Sequence, residues 1–115
     1  MPSLCEPGGI VQHEFFVGST PVVAFKTGGL KDTILDFEAK TRKGNGVTFL
    51  DHKVTDFVQA IDKAIEIYKN PQLYNIIRKN AFDSTMDSAD VARAWDKEFH
   101  RLFHKVDYNL FLLFY

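Results

Sequence analysis

The sequence predicts an α/β fold built on a parallel sheet, and three observations predict it. Two short apolar runs, Pro21-Val22-Val23-Ala24-Phe25 and Gly46-Val47-Thr48-Phe49-Leu50, read as buried strands. Segments of helical periodicity precede, separate and follow them, the order expected of a βαβ arrangement. Glycine pairs, Gly8-Gly9 and Gly28-Gly29, stand in the links, where strands of such folds hand over to helices.

The elements follow in order. Residues 1–6 read as the end of a strand entering a loop, and Pro7-Gly8-Gly9 breaks regular structure so that a helix begins near Ile10. That helix carries Val11, Glu14, Phe15 and Val17 and stops at Gly18, which suits the position just past a helix end. The first strand comes next, then a Thr27-Gly28-Gly29 loop and a helical turn over residues 30–34. Residues 36–45 are polar, with Lys40, Arg42 and Lys43, and predict an exposed loop before the second strand. In the following segment Val54, Phe57, Val58, Ile61, Ala64, Ile65 and Tyr68 recur at spacings of three and four, an amphipathic helix. Asn70-Pro71 supplies an N-cap and a proline at the first helical position. Asp87 or Ser88 caps a last helix with Val91, Trp95, Phe99, Leu102 and Phe103 along one side.

Composition narrows the function classes. The chain has 115 residues, 45% hydrophobic and 25% charged, the balance of a globular protein. A net charge of -1 argues against a general grip on nucleic acid or anionic lipid, so no nucleic-acid partner is expected. The terminal apolar residues 106–115 are too few to span a bilayer, and no membrane partner is expected. One cysteine, Cys5, excludes an internal disulfide and suits a reducing compartment. His13, His52, His100 and His104 lack the register of a metal site, and neither metal nor cofactor is expected. The stripe of Trp95, Phe99 and Phe103 is expected to serve core or interdomain packing rather than glucan stacking.

Chemistry concentrates near the start. Glu6 and Glu14 are eight positions apart with Gly8 and Gly9 between them. Carboxylates accept hydrogen bonds from sugar hydroxyls, and glycines let backbone N–H groups approach a phosphate. A helix starting near Ile10 turns its N–H groups and positive end toward such a phosphate. Spacing alone separates the two carboxylates by roughly 10 Å, the span of a nucleotide-sugar between its sugar and its ribose.

Several stretches in series then resemble one family. Met1-Pro2-Ser3-Leu4-Cys5-Glu6-Pro7-Gly8-Gly9 is similar to the PSxxEPxG segment of glycogen/starch synthases, retaining glucosyltransferases of family 5. Gly18-Ser19-Thr20-Pro21-Val22-Val23 and Lys26-Thr27-Gly28-Gly29-Leu30-Lys31-Asp32-Thr33 resemble their YGTxPVVRxTGGLxDT, and Gly44-Asn45-Gly46-Val47-Thr48-Phe49 their GxGFxF. The helix with Ala60, Ala64 and Tyr68 resembles LxxAIxRAxxxY. The likeness runs from Met1 to about Lys105. Gly8 stands where the family commonly has cysteine, and Val11 where it has threonine.

The resemblance implies the C-terminal, donor-binding part of a GT-B fold over residues 1–105; residues 106–115, whose pattern fits nothing before them, read as an added apolar tail, with a docking segment as the alternative. It implies transfer of glucose from ADP-glucose or UDP-glucose to the non-reducing end of an α-1,4-glucan, with retention. Glu6 would be the catalytic residue, contacting the donor glucose and steadying its developing positive charge. Gly8, Gly9 and Ile10 would present backbone to the diphosphate, and Glu14 would reach the ribose. Lys26, Thr27, Gly28 and Gly29 would complete the donor side. The implied partners are the nucleotide-sugar, the glucan acceptor and an N-terminal domain carrying a Lys-x-Gly-Gly loop, which this segment lacks. A segment without that wall is expected to be inactive alone. The expected location is cytoplasmic, or plastidial where a transit peptide precedes the segment. The rival readings are another retaining GT-B glycosyltransferase, of the sucrose- or trehalose-forming kind, and a non-catalytic glucan-binding or regulatory piece.

Overall fold

A computed structural model describes residues 1–113, with side chains as far as Lys105. Elements run α1 (Val11–Val17), β1 (Val23–Phe25), α2 (Leu30–Thr33), β2 (Val47–Phe49), α3 (Val54–Lys69), α4 (Pro71–Asp83) and α5 (Ser88–Leu113). The chain divides into two units, residues 1–85 and 86–115.

In the first unit β1 and β2 pair in parallel, with Val23 opposite Val47 and Phe25 opposite Phe49. The other edge of β1 is taken by Met1, whose terminal amine donates to the Val23 carbonyl at 2.6 Å. Its carbonyl accepts the Phe25 N–H at 3.0 Å. Those two bonds are one parallel ladder step at Met1, and residues 2–6 continue outside any strand.

Side chains alternate across β1 and feed two cores. Val22 and Ala24 join Phe16 of α1, Leu30 of α2, Ile34 and Ala81 of α4. Val23 and Phe25 point the other way, onto Val47, Phe49, Phe37, Ala60, Ile67 and Ile77. Helices therefore cover both faces of the sheet, the condition a parallel sheet requires. Asn70 caps α4 as expected, its Oδ1 accepting the N–H groups of Gln72 and Leu73 at 3.1 and 3.2 Å.

Four expectations need correction. The buried side of α3 is Ala60 and Ile67, whereas Val54, Val58, Ile65 and Tyr68 are exposed. The helix is turned because its neighbours, Phe49 of β2 and Ile77 of α4, lie on the Phe57–Ala64 side. Residues 36–45 are not uniformly solvent-facing, since Phe37 is in the core and Asn45 is buried. Asn45 accepts the Leu35 N–H at 2.8 Å and donates to the Thr33 carbonyl and Ser84 hydroxyl at 3.0 and 2.9 Å. It thereby ties the exit of α2, the entry to β2 and the end of α4.

At the end of α1, Gly18 has a φ of -77°, and Ser19 is the left-handed residue at 54°. The Ser19 N–H reaches the Phe16 carbonyl and the Thr20 N–H the Phe15 carbonyl, both at 2.9 Å, a Schellman closure with serine where glycine is usual. Finally, of the core and interdomain packing expected of Trp95, Phe99 and Phe103 of α5, the core role does not hold, since all three are exposed. Asp87 caps that helix, its Oδ1 accepting the Ala89 N–H at 2.8 Å. The tail proposed over 106–115 lies outside the residues whose side chains are described. Among the described residues no helix is long and apolar enough to cross a membrane.

Two stability outcomes follow. Ile67→Ala should cost about 2–5 kcal/mol in urea unfolding, against about 0.5 kcal/mol or less for Val54→Ala. Ser19→Gly should raise stability by about 1 kcal/mol, because a β-carbon in the left-handed region costs that much. A neutral Ser19→Gly would contradict the left-handed closure.

Candidate functional site

The carboxyl ends of β1 and β2 carry the loops that matter. The Lys26 N–H bonds to the Phe49 carbonyl at 2.9 Å, extending the pairing one residue past β1. The chain then turns, and Thr27-Gly28-Gly29 lies directly against the 4–9 segment. The Thr27 hydroxyl donates to the Leu4 carbonyl at 3.2 Å and the Gly29 N–H to the Glu6 carbonyl at 2.9 Å.

This approach requires glycine. A β-carbon on Gly28, whose φ is +46°, would sit 2.0 Å from the Glu6 carbonyl oxygen, and one on Gly29 would sit 2.9 Å from that of Gly8. Neither obstacle is a side chain that can swing aside. The two glycine loops are one backbone-to-backbone junction.

Beneath it lies Gln12, fully buried although it belongs to a helix of only seven residues. Its Nε2 donates to the Gly9 carbonyl at 2.8 Å and stands 3.4 Å from that of Gly8 and 3.3 Å from the Thr33 hydroxyl. The Thr33 hydroxyl in turn donates to the Gly29 carbonyl at 3.0 Å. The Oε1 of Gln12 is buried without a partner among the described residues, as is His13 Nδ1. An unmet buried acceptor costs about 1–3 kcal/mol, more than a typical single bond returns. Gln12 is thus a costly choice for α1, where an apolar residue would simply fill the space.

The expected site residues fall into two groups. Glu6, Gly8, Gly9, Thr27, Gly28 and Gly29 meet at the junction. Glu6 is half-buried, and its Oε1 accepts the Gly9 N–H at 3.2 Å. Gly9, at a φ of +59°, arches over the Gln12 amide. Among the described residues, the N–H groups of Gly8 and Ile10 have no protein acceptor. Ile10, Glu14 and Lys26 form the second group, with exposed side chains that make no hydrogen bond among the described residues. Seven residues make α1 only two turns, so the loop amides rather than a long helix dipole offer the positive character here.

Gln12 and Thr33 are the residues that sequence reasoning missed. Thr33 sits in a stretch quoted for its family likeness, and Gln12 in the helix read from its apolar neighbours; only the junction reveals their purpose. Elsewhere, a cavity of about 120 Å³ lies at the end of β2, lined by Pro2, Phe49, His52, Lys53, Val54 and Phe57, none of them an expected donor residue. His52 is engaged with the Pro2 carbonyl at 3.1 Å and edge-on to Phe25. Cys5 is exposed and free. Among the described residues, no three His, Cys, Asp or Glu side chains gather as metal ligands.

Gly28→Ala should destabilise the chain by at least about 1–3 kcal/mol, the cost of a strained backbone residue. Gly8→Ala, with open space around the added carbon, should shift stability by no more than about 1 kcal/mol. Thermal unfolding of the pair reads the difference, and equal losses would contradict the junction.

The chain is similar to known glycosyltransferases. A family model described as glycosyl transferases group 1 matches residues 1–84. A glycogen synthase of Kosmotoga olearia is 39% identical over 98 residues, covering 84% of this chain and 19% of that protein. One from Finegoldia magna is 37% identical over 107 residues, covering 92% and 21%. The chain therefore spans about a fifth of the length of the curated relatives it matches.

Among solved structures, the catalytic domain of starch synthase IV from Arabidopsis thaliana, bound to ADP and acarbose, matches with a TM-score of 0.71 at 25% identity. It covers 87% of this chain and 21% of that one. Sucrose-phosphate synthase from Thermosynechococcus elongatus shares the fold, with a TM-score of 0.71 at 24% identity over 90% of this chain and 25% of its own. These neighbours are GT-B glycosyltransferases, and the expected fold class is borne out. Motif order, parallel sheet and family match converge: this chain belongs to the group 1 glycosyl transferases.

Proposed function

We propose that this segment forms the donor-binding wall of a starch/glycogen synthase-type glucosyltransferase. Glucose passes from ADP-glucose, or UDP-glucose, to the non-reducing end of an α-1,4-glucan with retention of configuration. Residues 1–105 carry the wall, and residues 106–115 form an apolar tail. The observation that carries the reading is the junction itself. A carboxylate, Glu6, and unpaired loop amides at Gly8 and Ile10 stand together at the carboxyl end of a parallel sheet, where open α/β folds bind ligands. The sequence identity to glycogen synthases supports the glucosyl chemistry, and the ADP held by the starch synthase neighbour supports the adenine donor.

In this reading the diphosphate lies on the amides of the Gly8–Ile10 loop. Glu6 accepts hydrogen bonds from glucose hydroxyls and stabilises the positive charge that grows on the anomeric carbon as the leaving nucleotide departs. Glu14, free and outward on α1, takes the ribose hydroxyls, and Lys26 neutralises phosphate charge. Thr27, Gly28 and Gly29 line the cleft opposite. The glucan and much of its grip belong to a facing N-terminal domain, for which the four-fifths of each relative outside this match leaves room.

Calorimetric titration separates the assigned roles. Glu6→Ala should weaken ADP-glucose by about tenfold or more, the worth of hydrogen bonds to a charged group, while leaving ADP nearly unaffected. Glu14→Ala should weaken both ligands alike. Equal ADP-glucose affinity in wild type and Glu6→Ala would sink the assignment.

A further inference from the structure

We infer that Gln12 is a positioning residue that clasps the Gly8–Gly9 loop to the start of α2, so that the two glycine loops act as one rigid set of amides. The inference rests on the donor-binding reading only for what those amides hold.

Three observations carry it. Gln12 is wholly buried, yet its Nε2 is spent on the carbonyls of the very loop whose Gly8 and Ile10 N–H groups have no acceptor among the described residues. A peptide group is planar, so holding the Gly8 and Gly9 carbonyls inward constrains the following N–H groups, of Gly9 and Ile10, to point away. The same Nε2 meets the Thr33 hydroxyl, which donates to the Gly29 carbonyl, linking segments 21 positions apart through two short side chains. The unpartnered Oε1 indicates that the amide is oriented by what its Nε2 must reach and not by its own full satisfaction.

The position of Gly9 fits the same purpose. A β-carbon there would lie 2.5 Å from Gln12 Oε1, so the loop is pressed onto the clasp with no room for a side chain. A glutamine that merely filled the core would have no need of glycine above it, nor of a hydroxyl at Thr33.

The test compares the wild-type chain with Gln12→Leu, Thr33→Val and Thr33→Ser, by amide hydrogen exchange without ligand and by titration with ADP. The reporter is the Gly29 N–H, which Gln12 does not touch. Its exchange should quicken about tenfold in Gln12→Leu and in Thr33→Val, and return to the wild-type rate in Thr33→Ser. Amides of α3 should keep their protection, which separates the clasp from a general loss of stability. ADP affinity should fall by a similar factor in the first two variants.

Unchanged Gly29 exchange in both would overturn the clasp. If wild type takes up no ADP, the donor-binding reading fails, and ligand-free exchange still decides the clasp. If Gln12→Leu does not fold, Thr33→Val carries the test, because it exchanges a hydroxyl for a methyl of nearly the same size.

Discussion

The two glycine loops of the first unit meet at one hydrogen bond, from the Gly29 N–H to the Glu6 carbonyl at 2.9 Å. That bond demands main-chain contact, and main-chain contact demands the absence of a β-carbon at Gly28, where one would lie 2.0 Å from the same oxygen. Once the contact exists, three elements lose their independence. The segment beginning at Met1 is held along β1, α1 starts from the loop that the contact fixes, and α2 starts at the glycine that makes it. The residues of the proposed donor wall are carried on these pieces, so the geometry of that site is set by backbone and only finished by side chains.

Energetically the division of labour is clear. Burying apolar area at about 25 cal/mol per Å² is what holds helices to sheet, through Phe16, Leu30 and Ile34 on one face and Phe37, Phe49 and Ile77 on the other. A hydrogen bond returns only about 1 kcal/mol net, so Gln12 and Asn45 add little to that total. Their value is directional. Each buried amide addresses backbone groups of loops that the hydrophobic cores do not reach, Asn45 at the exit of α2 and Gln12 at the entry to α1. A core assembles the elements without regard to where a loop carbonyl points, whereas an amide cannot be satisfied without fixing it.

That distinction also explains what could be read from the residues. The strands were legible because the run around Val23 is continuously apolar and that around Val47 is broken only by Thr48, and the α4 start because Asn70-Pro71 is a chemical signal needing no tertiary context. The motif series placed Glu6, Gly8, Gly9, Thr27, Gly28 and Gly29 in one neighbourhood, and they are there. The buried face of α3 was not legible, since Val54 and Tyr68 satisfy the helical period as well as Ala60 and Ile67 do. Only the positions of β2 and α4 choose between them. Ser19 in place of Gly18 escaped because both stand within the same two-residue window of a helix end. Gln12 escaped for a deeper reason. A polar residue inside a helix reads as solvent-facing, and its partners are backbone groups, which leave no trace in the identity of neighbouring residues.

The contact between Glu6 and Gly9 sets the last constraint on the proposed chemistry. A backbone N–H···O bond runs from about 2.7 Å to about 3.2 Å, its long, weak end. Here it is 3.2 Å. The carboxylate is thus held near the loop without being strongly engaged by it, and giving up the bond costs little. In the proposed role this is what a donor site needs. Glu6 must turn to sugar hydroxyls when the donor arrives, and the Gly9 N–H must then find a phosphate or sugar oxygen instead. A tighter bond would oppose binding by pairing the two groups with each other. A carboxylate with no partner at all would sample many orientations, and fixing it would cost entropy at the moment of binding. A long, weak bond lies between these extremes: it orients the carboxylate in advance and yields it to a better donor. The rigid loop beneath makes this exchange local, because only the Glu6 side chain has to move.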